Sequence, residues 1–135
     1  METAASKVAK LEGTWELTVT LRSCETGTPL KSFRAMSTFS SGGAVMETSA
    51  SDVLPTGGLA QGYWRHIGGT SYAAVIKLFR FKGDGTFAGI ERVTRNIALG
   101  DDGNEFSATA SVQVFDPDDR LVRTGCATAM ARRLQ

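Results

Sequence analysis

Histidine, cysteine and proline are all scarce in this chain, and each shortage removes a class of function. One histidine, His66, excludes a zinc site of the usual clustered His and Cys ligands. The two cysteines, Cys24 and Cys126, are too few for a disulfide framework and too far apart for a C-x-x-C metal or redox motif; they could approach each other if first and last strands pair, but in a cytoplasmic protein free thiols are expected. Charge of one sign is also missing. Fifteen Lys and Arg stand against fourteen Asp and Glu, a formal net charge of +1, with no run of like charges. Nucleic acid and acidic membrane surfaces therefore lack an electrostatic footprint, and neither is expected as a partner. No span of about 18 apolar residues occurs, and METAASKVAK at the start lacks the apolar core of a secretory signal. The expectation is a soluble, cytoplasmic protein.

Glycine, by contrast, is abundant, and it separates runs rich in Val, Ile, Thr, Phe and Tyr. That is the punctuation of an antiparallel β protein. Strands are expected at about Gly13 to Arg22, Ser32 to Ser40, Ala44 to Ala50, Leu59 to Ile67, Thr70 to Phe81, Thr86 to Leu99, Asn104 to Phe115 and Leu121 to Ala131. The connections are short turn sequences: SSGG at 40–43, GG at 68–69, KGDG at 82–85, GDDG at 100–103 and DPDD at 116–119. Tight turns join only antiparallel neighbours, so successive strands form a meander, and closing it removes exposed edges. The expected fold is all-β, an eight-stranded antiparallel up-and-down barrel. Residues 1–10 read as an extension or short helix, Ala4 to Lys10 being the candidate, and residues 11–135 as one barrel domain.

Turn chemistry also sets a register. A two-residue hairpin at Gly68 and Gly69 places Arg65 opposite Tyr72 and Tyr63 opposite Ala74. Four-residue turns at KGDG and GDDG place Tyr72 opposite Arg95 and Arg95 opposite Ala108. Phe106, Ala108, Ala110, Val112 and Val114 alternate with Ser107, Thr109, Ser111 and Gln113, so the apolar set faces the lumen. Carried across the pairs, this puts Tyr63, Arg65, Tyr72, Ala74, Ile76, Leu78, Phe87, Glu91, Val93, Arg95 and Ile97 inside. On the first two strands Trp15, Leu17 and Val19, then Phe33 and Phe39, share an inner face, with Trp15 closing one end.

Such a lumen is more than a packed core. Two buried guanidiniums need anionic partners, and Glu91 answers one of them. In the functional reading the other anion is a ligand's carboxylate, enolate or phosphate, held by Arg65 and Arg95 with the Tyr63 and Tyr72 hydroxyls. Trp15, Phe33, Phe39, Ile76, Val93 and Val112 then supply the apolar walls, and small Ala74, Ala108 and Ala110 leave room. The alternative is a structural Glu91 to Arg pair with rim arginines reaching solvent. A second functional class uses the same lumen: a cofactor-independent cyclase, isomerase or lyase with Glu91 as general acid or base and Tyr63 or Tyr72 as proton donor. Neither reading calls for a metal or a cofactor.

The N-terminal GTWEL resembles the Gly-x-Trp signature of lipocalins and fatty-acid-binding proteins, the calycin superfamily. The resemblance implies a small, bacterial-type ligand-binding barrel. It also implies a tryptophan packed across the closed end under an arginine of the last strand, here Arg132 or Arg133. It covers about ten residues. The Thr-Asp-Tyr motif of lipocalins, the helical lid of fatty-acid-binding proteins and the late histidine of the haem-binding nitrobindin-like branch are absent, and barrels of this appearance also include allene-oxide-cyclase-type enzymes. Finally, Ala73, Val75, Phe79 and Phe81 fall on the outer face beside Trp64 and Ile90. An apolar patch of that extent predicts a homodimer or higher oligomer.

Overall fold

A computed structural model describes residues 10–50 and 58–134. The candidate N-terminal helix lies outside them, apart from Lys10. Eight strands follow in order: β1 (Gly13–Arg22), β2 (Pro29–Phe39), β3 (Ala44–Ser49), β4 (Ala60–Gly68), β5 (Ser71–Phe81), β6 (Phe87–Leu99), β7 (Glu105–Phe115) and β8 (Leu121–Arg133). Each pairs antiparallel with the next, and β8 returns to β1 to close the barrel. No described helix is long and apolar enough to cross a membrane.

The turns behave as their residues dictate. Asx-type contacts hold them, Asp84 accepting from the Thr86 amide at 3.0 Å and Asp116 from the Asp118 amide at 2.9 Å. Registers on β5 to β7 sit two residues from the expected ones: Arg95 pairs with Ala74 and Ala110 rather than Tyr72 and Ala108. A shift of two preserves the faces, so Ile76, Leu78, Glu91, Val93, Arg95 and Ile97 still point inward.

On β4 the expectation fails by one residue, and there the faces invert. The hairpin turns at Gly69 and Thr70, Gly68 pairs with Ser71, and Ile67 bulges, so His66 pairs with Tyr72 and Trp64 with Ala74. Trp64 and His66 therefore take the inner parity, while Tyr63 and Arg65, both expected in the lumen, are exposed on the outside. The exchange is physically sensible, because it turns a Trp toward the core and leaves a guanidinium in water. Phe87 is also corrected: a register irregularity between Arg80 and Phe81 leaves it exposed, in ring contact with Phe79 and Phe81. With Trp64 removed from it, the outer apolar patch consists of Phe79, Phe81 and Phe87 with half-buried Val75 and Ile90.

One end of the barrel is sealed. Trp15 is fully buried, its indole N–H donating to the Leu11 carbonyl at 2.9 Å, and its ring meets Phe106 at 4.8 Å between centroids. Phe39 packs on Phe106 and Trp64, and Tyr72 on Trp64 and His66. The Arg133 guanidinium lies 4.3 Å over the Trp15 ring and donates to the carbonyls of Lys10, Glu12 and Gly103. This is the contact that the resemblance implied for Arg132 or Arg133.

Gly13 makes that contact possible. Its φ is 122°, and a Cβ there would stand 2.7 Å from Nη1 of the Arg133 guanidinium, which is already fixed by three carbonyls. Gly13→Ala is expected to lower the unfolding free energy by about 1–3 kcal/mol through backbone strain and displacement of the guanidinium. Gly42→Ala, where nothing lies within 4 Å and φ is ordinary, should be near neutral. Urea denaturation of the two variants checks this, and equal stabilities would refute it.

At the opposite end Cys24 and Cys126 form a disulfide, Cα atoms 5.2 Å apart, which corrects the expectation of free thiols. That expectation rested on spacing and compartment. The structure brings the residues together because barrel closure sets the end of β1 against the start of β8, with Arg22 opposite Cys126.

Candidate functional site

Inside the barrel lies a buried ion pair that the sequence reading did not contain. Val45 and Glu47 alternate with exposed Ala44, Met46 and Thr48 on β3, so the strand that buries Val45 also buries Glu47. Arg95 reaches it from β6, Nη1 donating to Oε1 at 2.6 Å and Nη2 to Oε2 at 3.3 Å. Ser37 on β2, paired with Glu47 across the sheet, donates to Oε1 at 2.5 Å. All three residues are buried. The two-pronged pairing neutralises Arg95, so among the described residues no free cation stands at this depth.

Above the ion pair lies a small cavity of about 50 Å³, walled by Val19, Ile76, Val93 and Ala110 with Glu47, Glu91 and Arg95. It leads toward a mouth of about 500 Å³ at the disulfide end, lined by Leu30, Val114, Arg80, Arg123 and Cys126 among others. Leu21, Phe33, Glu91 and Val112 line both spaces, so the two are continuous in their walls. Small inner residues at Ala60, Ala110, Ala127 and Ala129 leave the upper lumen open, while the lower half is filled by the aromatic plug.

Glu91 stands where cavity and mouth meet. It is half-buried, and burial pushes its carboxyl above the usual carboxylate range, against the opposing pull of the Arg80 and Arg123 guanidiniums. Arg80 comes from the last inward position of β5 and Arg123 from the start of β8, where it pairs with Val114. Lys31 on β2, paired with Leu21, adds a further exposed cation at the same end.

The expected site residues thus separate into three groups. Glu91, Arg95, Phe33, Ile76, Val93 and Val112 line the open lumen. Trp15, Phe39 and Tyr72 belong to the sealed end, so Tyr72 is not in one row with Arg95. Tyr63 and Arg65 are outside. The row of Arg65, Tyr72 and Arg95 does not exist; in its place are the buried Arg95, Glu47 and Ser37 and the mouth group Arg80, Glu91 and Arg123. Glu47 and Ser37 carried a legible signal, since parity from Phe39 through the SSGG turn to Val45 puts both inside. Among the described residues, no group of His, Cys, Asp and Glu side chains is arranged to hold a metal ion.

No family model and no curated protein matches the chain. Among solved structures it is similar to the crystal structure of Rv2717c from M. tuberculosis, at 15% identity and a TM-score of 0.41, over 98% of this chain and 96% of that one. The fold is therefore taken from the strands themselves: an all-β, closed, eight-stranded antiparallel barrel.

Proposed function

We propose that the barrel binds a small, partly apolar, carboxylate-like anion, its apolar body running from the mouth into the inner cavity and its charge held at Arg80 and Arg123. The observation that carries this reading is the shared wall of Leu21, Phe33, Glu91 and Val112 between the two spaces, beneath a cationic rim. The inner cavity alone is too small for most ligands, but the mouth falls in the range of about 300–1,000 Å³ typical of small-molecule sites. The anchor differs from the one the sequence suggested. Arg65 is outside, and Arg95 already has its anion in Glu47. The packing of Trp15 under Arg133, with Gly13 giving the guanidinium room, further supports a calycin-like barrel.

Thermal-shift and calorimetric titration with straight-chain monocarboxylates, octanoate among them, test the reading. Ligand at about 100 times Kd should stabilise the protein by about 2.7 kcal/mol. The paired change Arg80→Met and Arg123→Met should weaken binding by at least about tenfold, the cost of about 1.4 kcal/mol of lost charge-assisted bonding. Val112→Trp should plug the passage. If no monocarboxylate stabilises the protein, or if the variant lacking Arg80 and Arg123 binds as well as the parent, the assignment fails.

The enzymatic reading retains one supporting observation, a half-buried carboxyl with its acidity weakened by burial at the entrance to a cavity. Its expected proton donors are gone, Tyr63 to the outer face and Tyr72 to the sealed end. Binding is accordingly the better supported function.

A further inference from the structure

We propose that Glu91 takes up a proton from solvent when an anionic head group seats between Arg80 and Arg123, so that the barrel captures acids as pH falls and releases them as it rises. The inference rests on the binding function proposed above and adds its regulation. Geometry carries it: one carboxylate forms part of the wall of both spaces, and Arg80 of β5 and Arg123 of β8 line the mouth together with it.

In the empty barrel, the Arg80 and Arg123 guanidiniums favour the ionised form of Glu91 while burial opposes it. An incoming carboxylate brings a second negative charge into the cluster, and its apolar body displaces water from the Glu91 side chain. Like charge and desolvation both disfavour the ionised form, and they act in the same direction. One solvent proton adds to a Glu91 oxygen, a neutral carboxyl results, and the ligand stays ionised between two arginines. Burial has already begun this shift in the empty protein.

Among the described residues, the surroundings contain little to oppose it. From β7, Val112 and Val114 are uncharged; from β1 and β2, Leu21 and Phe33 are apolar, with Lys31 at the outer edge. From β3, Glu47 faces the same cavity with its charge met by Arg95 of β6. Arg22 donates to Thr128 and to the Gly27 carbonyl. Among the described residues, Arg80 and Arg123 are therefore the cations that line the mouth with Glu91 and would be shared with a ligand.

Calorimetric titration with octanoate between about pH 6 and pH 8, where octanoate itself stays ionised, tests the proposal in two buffers of different ionisation enthalpy. The expected result is uptake of up to one proton per octanoate bound, with Kd weakening by up to about tenfold per pH unit toward the alkaline side. Infrared difference spectra of the wild type with carboxyl-labelled octanoate should show a protein carboxyl band gained on binding. In Glu91→Gln the proton uptake should vanish and the pH dependence flatten. Binding with no uptake and no new carboxyl band overturns the proposal alone, as does equal uptake by Glu91→Gln. Failure of octanoate to bind at any pH overturns it together with the binding function.

Discussion

Reduction of the Cys24 to Cys126 bridge is expected to lower the unfolding free energy by about 3–5 kcal/mol, since closing a loop of about 100 residues removes that much chain entropy from the unfolded state. The bridge spans 102 positions and fastens the β1 to β8 seam, which joins the first strand to the last without a connecting turn. Every other pair of neighbouring strands is consecutive in sequence. The seam ladder runs from Trp15 opposite Arg133 to Arg22 opposite Cys126, so the disulfide pins its far end while Arg133 and Trp15 pin the near one. Reduced wild type and the Cys24→Ser, Cys126→Ser double variant should unfold alike, with Tm lowered by roughly 10–20 °C. Because Cys126 lines the mouth, octanoate affinity should fall with the bridge as well. A loss below about 1 kcal/mol in urea denaturation, in either form, would show that the strand ladder holds the seam unaided.

Strand number, order and closure were legible because turn chemistry and alternation are local signals. Asp84, Gly85, Asp102 and Gly103 mark their turns without help from distant residues. Inward parity on β5 to β7, Phe87 apart, survived because the register errors there were of two residues, and a two-residue slip leaves Glu91 and Arg95 on the face assigned to them. The stretch HIGGTSY is different. A two-residue turn at Gly68 and Gly69 and a turn at Gly69 and Thr70 with a bulge at Ile67 use the same residues, and only packing of Trp64 against Phe39 and Tyr72 separates them. Arg65 and Tyr63 were misplaced for that reason. The partner of Arg95 was hidden for another: Glu47 lies 48 positions away on a six-residue strand, and no periodicity links them. The cysteines illustrate the limit most plainly, since the pairing of first and last strands was implied by closure while the bond between them was not.

Glu47→Leu should be the most damaging single change in the lumen, lowering stability by about 3–5 kcal/mol, because it leaves the Arg95 guanidinium buried without an anion. Ser37 loses its acceptor in the same step. Arg95→Met should be nearly as harmful at neutral pH, with Glu47 then a buried carboxylate supported by Ser37 alone. Removing both charges together, Glu47→Leu with Arg95→Met, replaces the pair by apolar groups of similar volume and is expected to be neutral or stabilising, by up to about 4 kcal/mol. Urea denaturation of the full cycle measures the coupling directly. Additive losses would mean that the pair does not act as a unit. The same double variant separates structure from binding. If Arg80 and Arg123 hold the anion, it should still bind octanoate, and loss of binding from a well-folded double variant would return the anchor to Arg95.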